Sequence, residues 1–194
     1  MTTVGLVLAA GAGRRMGGPK ALVRLAGDGP TLVETAVERA RAAGCDRVVV
    51  VVGAAADEAA DAVSATGAEV VTAADWSEGM GASLRAGLAH LEGSPDVLAL
   101  VTLVDLPDVT ARVMARVLAA AVGDGPAALV RAAYDGVPGH PVAIGRDHWA
   151  AVRETARGDR GARDHLRATT HRLVECGDLA TGRDVDTVED LHRG

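Results

Sequence analysis

A glycine-rich loop near the start of the chain carries the side chains best suited to hold a polyphosphate. It reads Leu-Ala-Ala-Gly-Ala-Gly-Arg-Arg-Met-Gly-Gly-Pro-Lys over residues 8–20 and follows an apolar run typical of a buried strand. Gly11 and Gly13 tolerate positive φ and have no side chain to block a close approach, so nearby amides can turn toward anionic oxygens. Arg15 and Lys20 would neutralise the charge that those amides hold.

Two better-known phosphate loops do not fit these residues. A dinucleotide fingerprint, G-x-G-x-x-G, fails from Gly11 because its sixth position is Met16. A P-loop, G-x-x-x-x-G-K-[ST], fails because Pro19 stands where its lysine belongs. Ala21 also follows Lys20 in place of the hydroxyl residue that would hold Mg²⁺. The loop is therefore of a third kind.

A carboxylate at the end of a predicted strand is the second chemical feature. Asp105 follows an apolar run over residues 97–104 that predicts a buried strand. Open α/β sheets form their ligand crevice where parallel strands end, so Asp105 is expected beside that crevice. A lone aspartate at a strand end is more often a cap or turn residue, and Asp108, two residues before Thr110, suits that role better.

The elements that must position these residues alternate along the whole chain. Apolar runs rich in Val, Leu and Ala alternate with helical patterns, which is typical of a mostly parallel sheet buried on both faces. Predicted strands cover residues 4–10, 47–52, 68–72, 97–104, 127–133, 141–144 and 172–175. Predicted helices cover residues 31–43, 57–67, 81–91, 111–122, 147–156 and 161–168, with a last helix from Thr187. Thr31 with Glu34 matches a capping box, and Asp57 and Thr110 are expected caps.

Composition narrows the possible functions. The 194 residues, 48% of them hydrophobic, suit one domain over residues 1–194 with a substantial core. Aromatic residues make up 2% and the net charge is −6, which disfavours nucleic acid as a partner. Cys45 and Cys176 form no CxxC pattern and are expected as reduced thiols. No apolar run approaches the roughly 20 residues of a membrane span, so we expect a cytoplasmic protein without a membrane partner.

The opening loop resembles the signature of one family. Its pattern Leu-Ala-Ala-Gly-x-Gly-x-Arg-Met-Gly-x-x-Lys is similar to that of the molybdenum cofactor cytidylyltransferases, which belong to the MobA-like nucleotidyltransferases. The resemblance implies a single three-layer Rossmann-like α/β domain with a mostly parallel, mixed sheet of the GT-A-like kind. It also implies transfer of CMP from CTP to the phosphate of molybdopterin carrying molybdenum, with release of pyrophosphate.

The same resemblance implies a Mg²⁺ site. Val104-Asp105-Leu106-Pro107 resembles the family's Asp-Leu-Pro metal motif. Residues 184–191, Asp-Val-Asp-Thr-Val-Glu-Asp-Leu, resemble the family's Asp-Ile-Asp-Thr-Pro-Glu-Asp-Leu, with Val188 in place of Pro, and carry over Asp186 as the second ligand. Two carboxylates suffice for Mg²⁺, which usually keeps several waters and phosphate oxygens. The alternative is that Asp186 caps the last helix together with Thr187 and Asp190.

Three further segments extend the resemblance to the substrates. Residues 76–88 resemble the family segment that lines the nucleotide pocket, and Gly79 and Ser83 would contact the nucleotide. Gly139-His140-Pro141 and residues 158–163 resemble acceptor-side loops, which implies acceptor contacts by His140, Arg160 and Arg163, although both arginines could simply decorate a solvated helix start. The implied nucleotide-binding residues are Leu8, Ala9, Ala10, Gly11, Gly13, Arg15, Lys20, Gly79, Ser83 and Asp105, of which Arg15, Lys20 and Asp105 would be catalytic.

Two alternatives remain open at this point. A guanylyltransferase of the same fold could act on the same or another phosphorylated acceptor, although Ala10 stands where guanylyl members carry a second glycine. A non-catalytic module could instead bind the finished cofactor and deliver it. A molybdenum hydroxylase or its maturation chaperone is the partner protein that the resemblance implies.

Overall fold

One mixed sheet organises the molecule. The computed structural model describes residues 1–24, 28–187 and 190. The strands are β1 (Thr2–Leu8), β2 (Arg47–Val52), β3 (Glu69–Thr72), β4 (Asp96–Leu103), β5 (Leu129–Tyr134), β6 (Val137–Gly145) and β7 (Arg172–Glu175). They form a seven-stranded sheet in the order β3-β2-β1-β4-β6-β5-β7. Every neighbouring pair is parallel except the two that involve β6.

Helices cover both faces of the sheet. They are α1 (Leu32–Ala42), α2 (Ala56–Val63), α3 (Met80–His90), α4 (Ala111–Val122), α5 (Arg146–Thr155) and α6 (Arg163–Ala168). One buried core joins α1, α2 and α4 to one face, and a second joins α3, α5 and α6 to the other. The valine run of β2 serves both, because alternate side chains point to opposite faces: Val50 enters the first core and Val51 the second. The predicted three-layer α/β fold with a mostly parallel, mixed sheet is thus confirmed.

Local signals in the sequence succeed and fail for identifiable reasons. The capping box at Thr31 and Glu34 is present, with both reciprocal hydrogen bonds formed. The expected cap at Asp57 is wrong: the cap position is Ala55, two residues earlier, and α2 gives way to a 3-10 turn over Ser64–Thr66 that Gly67 follows. Thr110 precedes α4 as predicted, but its hydroxyl makes no capping hydrogen bond. Of the last predicted helix, residues 188–189 and 191–194 lie outside the described residues.

The antiparallel strand β6 is longer than its apolar core suggested. A turn with positive φ at Asp135 and Gly136 joins it to β5. Such a turn matches the twist of two antiparallel strands, so the hairpin extends β6 back to Val137. Residues 137–140 of this extension gave no strand signal, and with them Gly139-His140-Pro141 becomes part of the sheet. No helix among the described residues has both the length and the apolarity to cross a membrane.

Candidate active site

The predicted residues meet where β1 and β4 end. Leu8 of β1 is paired with Leu103 of β4, so the loops that follow these two strands start side by side. A third segment joins them because the Val185 amide donates to the Asp105 carbonyl oxygen at 2.9 Å. Residues distant in the sequence, the glycine loop, Asp105 and the segment around Asp186, therefore share one edge of the sheet.

A cleft of about 420 Å³ opens at this edge. Most of the residues predicted to bind nucleotide line it, namely Leu8, Ala10, Gly11, Gly13, Lys20, Gly79, Ser83 and Asp105. Two others do not: Ala9 is buried with its amide bonded to Val51, and Arg15 is directed elsewhere. Arg14, its neighbour, lines the cleft instead. The volume lies within the range of small-molecule sites.

The glycine loop is shaped by one residue more than by the others. Gly13 has φ +56°, and its carbonyl accepts the amides of Met16 at 2.8 Å and Gly18 at 3.3 Å. A Cβ at Gly13 would lie 1.9 Å from the Gly18 oxygen, so no other residue fits. Gly11 does not have positive φ, and a Cβ there would meet no atom within 4 Å. Its contribution is open space beside the cleft rather than an unusual backbone conformation.

Lys20 holds two carboxylates together at the glycine-loop end of the cleft. Its Nζ lies 2.8 Å from Asp105 Oδ2 and 2.7 Å from Asp186 Oδ1. Arg15 Nη1 lies 2.9 Å from the other oxygen of Asp186, but the Arg15 side chain is 77% exposed. Lys20 is also the only lysine of the sequence, beside 19 arginines. The compact ammonium contacts both carboxylates from a single atom, whereas a guanidinium would distribute such contacts over several nitrogens.

These contacts set the protonation of the cluster. The hydrogen bond and charge of Lys20 keep the pKa of the Asp186 carboxyl below its ordinary value. Partial burial lowers the pKa of Lys20, but the hydrogen bonds to Asp105 and Asp186 outweigh it and leave this pKa raised. Lys20 is therefore charged and Asp186 ionised at neutral pH.

The carboxylates fit a hard divalent cation. Oxygens of Asp105, Asp184 and Asp186 lie within 4.8 Å of one another. Asp105 Oδ1 is buried and, within the part of the chain that the structure describes, has no hydrogen-bond partner. A desolvated carboxylate oxygen without a partner is costly, and a metal ion would satisfy it. Asp184 was missed by the sequence reading, although its spacing of two from Asp186 places both on one side of an extended segment.

The alternative role of Asp186 as a helix cap is not what the structure shows. Thr187 and Asp190 exchange hydrogen bonds in the manner of a capping box, including Asp190 N to Thr187 Oγ1 at 3.3 Å. The Asp186 amide also donates to Asp190, but the Asp186 carboxylate faces Lys20 and Arg15. Among the described residues, it is the Thr187 side chain that makes cap-like hydrogen bonds, with Asp190.

Another part of the cleft wall is formed by Gly79, which packs closely against the loop that carries Asp159. Gly79, with φ +121°, immediately precedes α3, and a Cβ there would lie 2.4 Å from Asp159 Oδ1. Ser83 is buried in the first turn of α3. Asp159 itself lines the cleft, whereas the sequence reading placed its whole loop on the acceptor side.

A second, smaller cavity contains the predicted acceptor residues. It has a volume of about 40 Å³, and His140, Arg160 and Arg163 all line it. Leu8 and Met80 line both this cavity and the cleft, so the two sites share a wall. Arg131 of β5 also lines it and was missed, because an isolated arginine in a strand reads as a solvated residue.

His140 is held by its backbone and kept neutral. The Tyr134 hydroxyl donates to the His140 carbonyl at 2.6 Å, and Gly139 packs so closely on the Tyr134 ring that a Cβ would lie 2.8 Å from it. Burial, with Arg131 and Arg163 nearby, lowers the pKa of His140 to about 4. The imidazole is therefore uncharged at neutral pH and can both donate and accept a hydrogen bond.

Comparison with known proteins places this architecture in a family. The profile of the MobA-like NTP transferase domain matches residues 5–174. Nicotine blue oxidoreductase from Paenarthrobacter nicotinovorans is 40% identical over 199 residues, covering 97% of this chain and 94% of that protein.

Solved structures share the fold. Rv0371c from Mycobacterium tuberculosis H37Rv is 30% identical, with a TM-score of 0.79 over 100% of this chain and 96% of that one. A manganese complex of Rv0371c aligns with a TM-score of 0.76 at 26% identity, covering 100% and 97%. CMP:2-keto-3-deoxy-manno-octonic acid synthetase complexed with CTP has a TM-score of 0.75 at 17% identity, covering 100% and 96%, which shows a common fold alone. Because the profile spans most of the sequence and a relative exceeds 30% identity over nearly all of it, the chain belongs to the MobA-like NTP transferase family.

Proposed function

We propose that this chain transfers CMP from CTP to the phosphate of a molybdopterin-type acceptor carrying molybdenum, and releases pyrophosphate. The observation that carries the proposal is the meeting of Lys20, Asp105 and Asp186 at the glycine-loop end of a nucleotide-sized cleft. An acceptor phosphate oxygen would form a bond to the α-phosphorus of CTP while the bond between the α-phosphorus and the bridging oxygen breaks. No covalent enzyme intermediate is needed, because phosphoryl-type transfer rests on positioning and charge stabilisation.

The phosphate end of the cleft supplies most of that stabilisation. Loop amides between Gly11 and Gly13 would meet the triphosphate oxygens, and Lys20 and Arg15 would neutralise their charge. Asp105 and Asp186, with Asp184 beside them, would hold Mg²⁺, which supplies Lewis-acid neutralisation of phosphate charge when bound. Manganese in the complex of Rv0371c supports a divalent cation in a related protein.

The remaining predicted residues bind the two substrates. Gly79 and Ser83 would contact the nucleoside, where glycine backbone lets a base edge approach closely. His140, Arg160 and Arg163 would contact the acceptor in the adjoining cavity. Ala10 in the opening loop favours CTP over GTP by resemblance. The dinucleotide product would pass to a molybdenum hydroxylase or its maturation chaperone in the cytoplasm.

A second candidate is an oxidoreductase, which the 40% identity to nicotine blue oxidoreductase favours. Such an enzyme would use a reduced dinucleotide, whose pyrophosphate the same glycine loop could hold. Against it stand the failed dinucleotide fingerprint at Met16 and the carboxylate cluster, for which hydride transfer has no use.

One experiment separates the candidates. CTP, GTP, ATP and UTP are each incubated with Mg²⁺ or Mn²⁺ and molybdenum cofactor, and pyrophosphate release is measured. Oxidation of NADH and NADPH with a quinoid dye is followed in parallel. We expect pyrophosphate only with CTP and acceptor together. Preference for GTP would contradict the base assignment, dye reduction without pyrophosphate would favour the oxidoreductase, and cofactor binding without either reaction would favour a delivery module.

A further inference from the structure

The cavity beside His140 carries positive charge that the protein does not neutralise. Arg131 is half-buried, and its guanidinium donates to two neutral carbonyls, Gly139 O at 2.9 Å and Pro138 O at 3.1 Å. Arg163, at the start of α6, has no hydrogen bond or ion pair from its side chain within residues 1–24, 28–187 and 190. Burial and the neighbouring Arg163 both lower the pKa of Arg131. The positive charges of Arg131 and Arg163 thus repel each other, and within the described residues neither guanidinium is paired with a carboxylate.

Arg160 is different, although it lines the same cavity. Its Nη1 lies 3.1 Å from Oδ2 of Asp164, four residues later in the chain, so its charge is already paired. The sequence reading grouped Arg160 with Arg163. The contacts instead group Arg163 with Arg131, which comes from the other side of the cavity, on β5.

The size of the cavity limits the ligand. A volume of about 40 Å³ corresponds to roughly three water molecules, because one water needs about 10–15 Å³ of such space. That is the size of one oxyanion, a phosphate or a carboxylate, and too small for a nucleotide or a ring system. Apart from the three arginines and His140, the walls are apolar side chains and small residues. Charge and size therefore indicate a single anionic group inserted from a larger molecule.

We propose that Arg131, Arg163 and His140 form an oxyanion subsite that anchors the acceptor, separate from the triphosphate site. Arg131 is the central residue, since its bonds to the Gly139 and Pro138 carbonyls fix the fork of its guanidinium in place. Neutral His140 contributes a hydrogen bond, and its position is fixed by Tyr134. Because Leu8 and Met80 line both this subsite and the cleft, a molecule anchored here would lie beside a nucleotide bound in the cleft.

The assignment of this anion to the acceptor rests on the proposed function, but anion binding itself does not. We would titrate the protein with glycerol 2-phosphate and with D-glycerate, a phosphate and a carboxylate of similar size, by calorimetry. Each titration is run with saturating CTP and Ca²⁺ and again without nucleotide. A subsite separate from the glycine loop shows the same dependence on Arg131 in both.

Arg131→Gln and Arg163→Gln should each weaken binding of the preferred anion about tenfold, as expected for loss of a charge-assisted hydrogen bond. Arg167→Gln is the matched control: Arg167 lies one turn after Arg163 on α6, is exposed and does not line the cavity. Arg131→Met removes the charge but keeps most of the aliphatic stem, and serves if Arg131→Gln fails to fold. Preference for the phosphate or for the carboxylate identifies the acceptor group, and either supports the subsite.

Two results would overturn the proposal. Equal anion affinity in the unaltered protein and in Arg131→Gln, or in Arg131→Met where Arg131→Gln does not fold, would remove Arg131 from any binding site. An equal loss in Arg167→Gln would show a general surface field instead of a subsite. Retained anion binding without pyrophosphate release would leave the subsite supported while the proposed reaction fails.

Discussion

The two ends of the active-site region handle charge in opposite ways. At the glycine-loop end, Lys20 is bonded to Asp105 and Asp186, and Arg15 is bonded to Asp186, so cations and carboxylates neutralise each other. In the neighbouring cavity, Arg131 and Arg163 have no carboxylate partner among the residues that the structure describes. A ligand at the glycine-loop end must therefore displace existing ion pairs. An anion in the neighbouring cavity would instead pair with guanidiniums that have no carboxylate partner among the described residues.

This difference predicts how each end responds to its ligands. A divalent cation at Asp105 and Asp186 competes with Lys20 for the same oxygens, and a triphosphate offers Lys20 another partner. Metal and nucleotide should consequently strengthen each other's binding, and by linkage the coupling is reciprocal. The second cavity needs no such exchange.

Asp105→Asn tests the neutralised end and should have the largest effect. Asn keeps the size of the side chain but removes the charge that the cation and Lys20 need. Turnover should fall by on the order of 10²-fold or more, since a metal site supplies several kcal/mol of charge stabilisation. Pyrophosphate release measures the loss, and calorimetry checks that the variant is folded. Asp61→Asn, on the exposed side of α2, is the control. Unimpaired turnover would remove Asp105 from the metal site.

Lys20→Met sharpens the comparison because it separates two effects. CTP turnover should fall by roughly tenfold or more, because the triphosphate loses a direct cation. Mn²⁺ binding without nucleotide should instead tighten by about tenfold, since the competing ammonium is gone. Mn²⁺ titration followed by electron paramagnetic resonance measures the second effect.

Lys20→Arg belongs to the same series as a conservative variant. It should fail to restore turnover, because the longer, planar guanidinium would not reproduce the contacts that the single Nζ atom makes with both Asp105 and Asp186. Weaker Mn²⁺ binding in Lys20→Met would show that Lys20 supports the metal site and does not compete for it.

A pH titration tests the unneutralised cavity. The pKa of His140 falls from 6.5 to about 4 on folding. Between pH 6.5 and pH 4, His140 is therefore protonated in the unfolded chain and neutral in the folded protein. His140 should therefore contribute a loss of stability as pH decreases from about 6.5 to about 4. Burial also lowers the pKa of His165, which acts in the same direction. Urea unfolding of His140→Asn should show a flatter pH dependence than the unaltered protein. Identical curves for the two proteins would contradict the lowered pKa of His140. Because the charge of Arg131 contributes to that lowering, Arg131→Gln should raise the titration midpoint of His140 measured by NMR.

The sequence predicted the fold and the glycine-loop end of the site better than it predicted the cavity beside His140. Continuous valine and leucine runs with capped helices between them leave few alternatives to a parallel sheet, and the strand ends then bring Lys20 and Asp105 together. The antiparallel hairpin was harder, because its β6 extension has no apolar alternation and its turn at Asp135 and Gly136 is fixed by backbone geometry. Arg131 could not be assigned because its importance depends on what it lacks, a carboxylate partner, and that is a property of tertiary structure alone.

Arg15→Ala should have the smallest effect, and it tests which arginine serves the neutralised end. Family resemblance assigns Arg15 to the triphosphate, yet Arg15 is 77% exposed and bonded to Asp186, while Arg14 lines the cleft. An exposed ion pair contributes about 0–1 kcal/mol, so unfolding stability should hardly change. The KM for CTP should rise only a few-fold, because Arg14 can meet the same phosphates. Arg14→Ala alone should have a similar effect, and the double variant should exceed the sum of the two single changes in free energy. Strict additivity would show that the arginines act separately, and a large effect of Arg15→Ala alone would mean that Arg15 leaves Asp186 when the nucleotide binds.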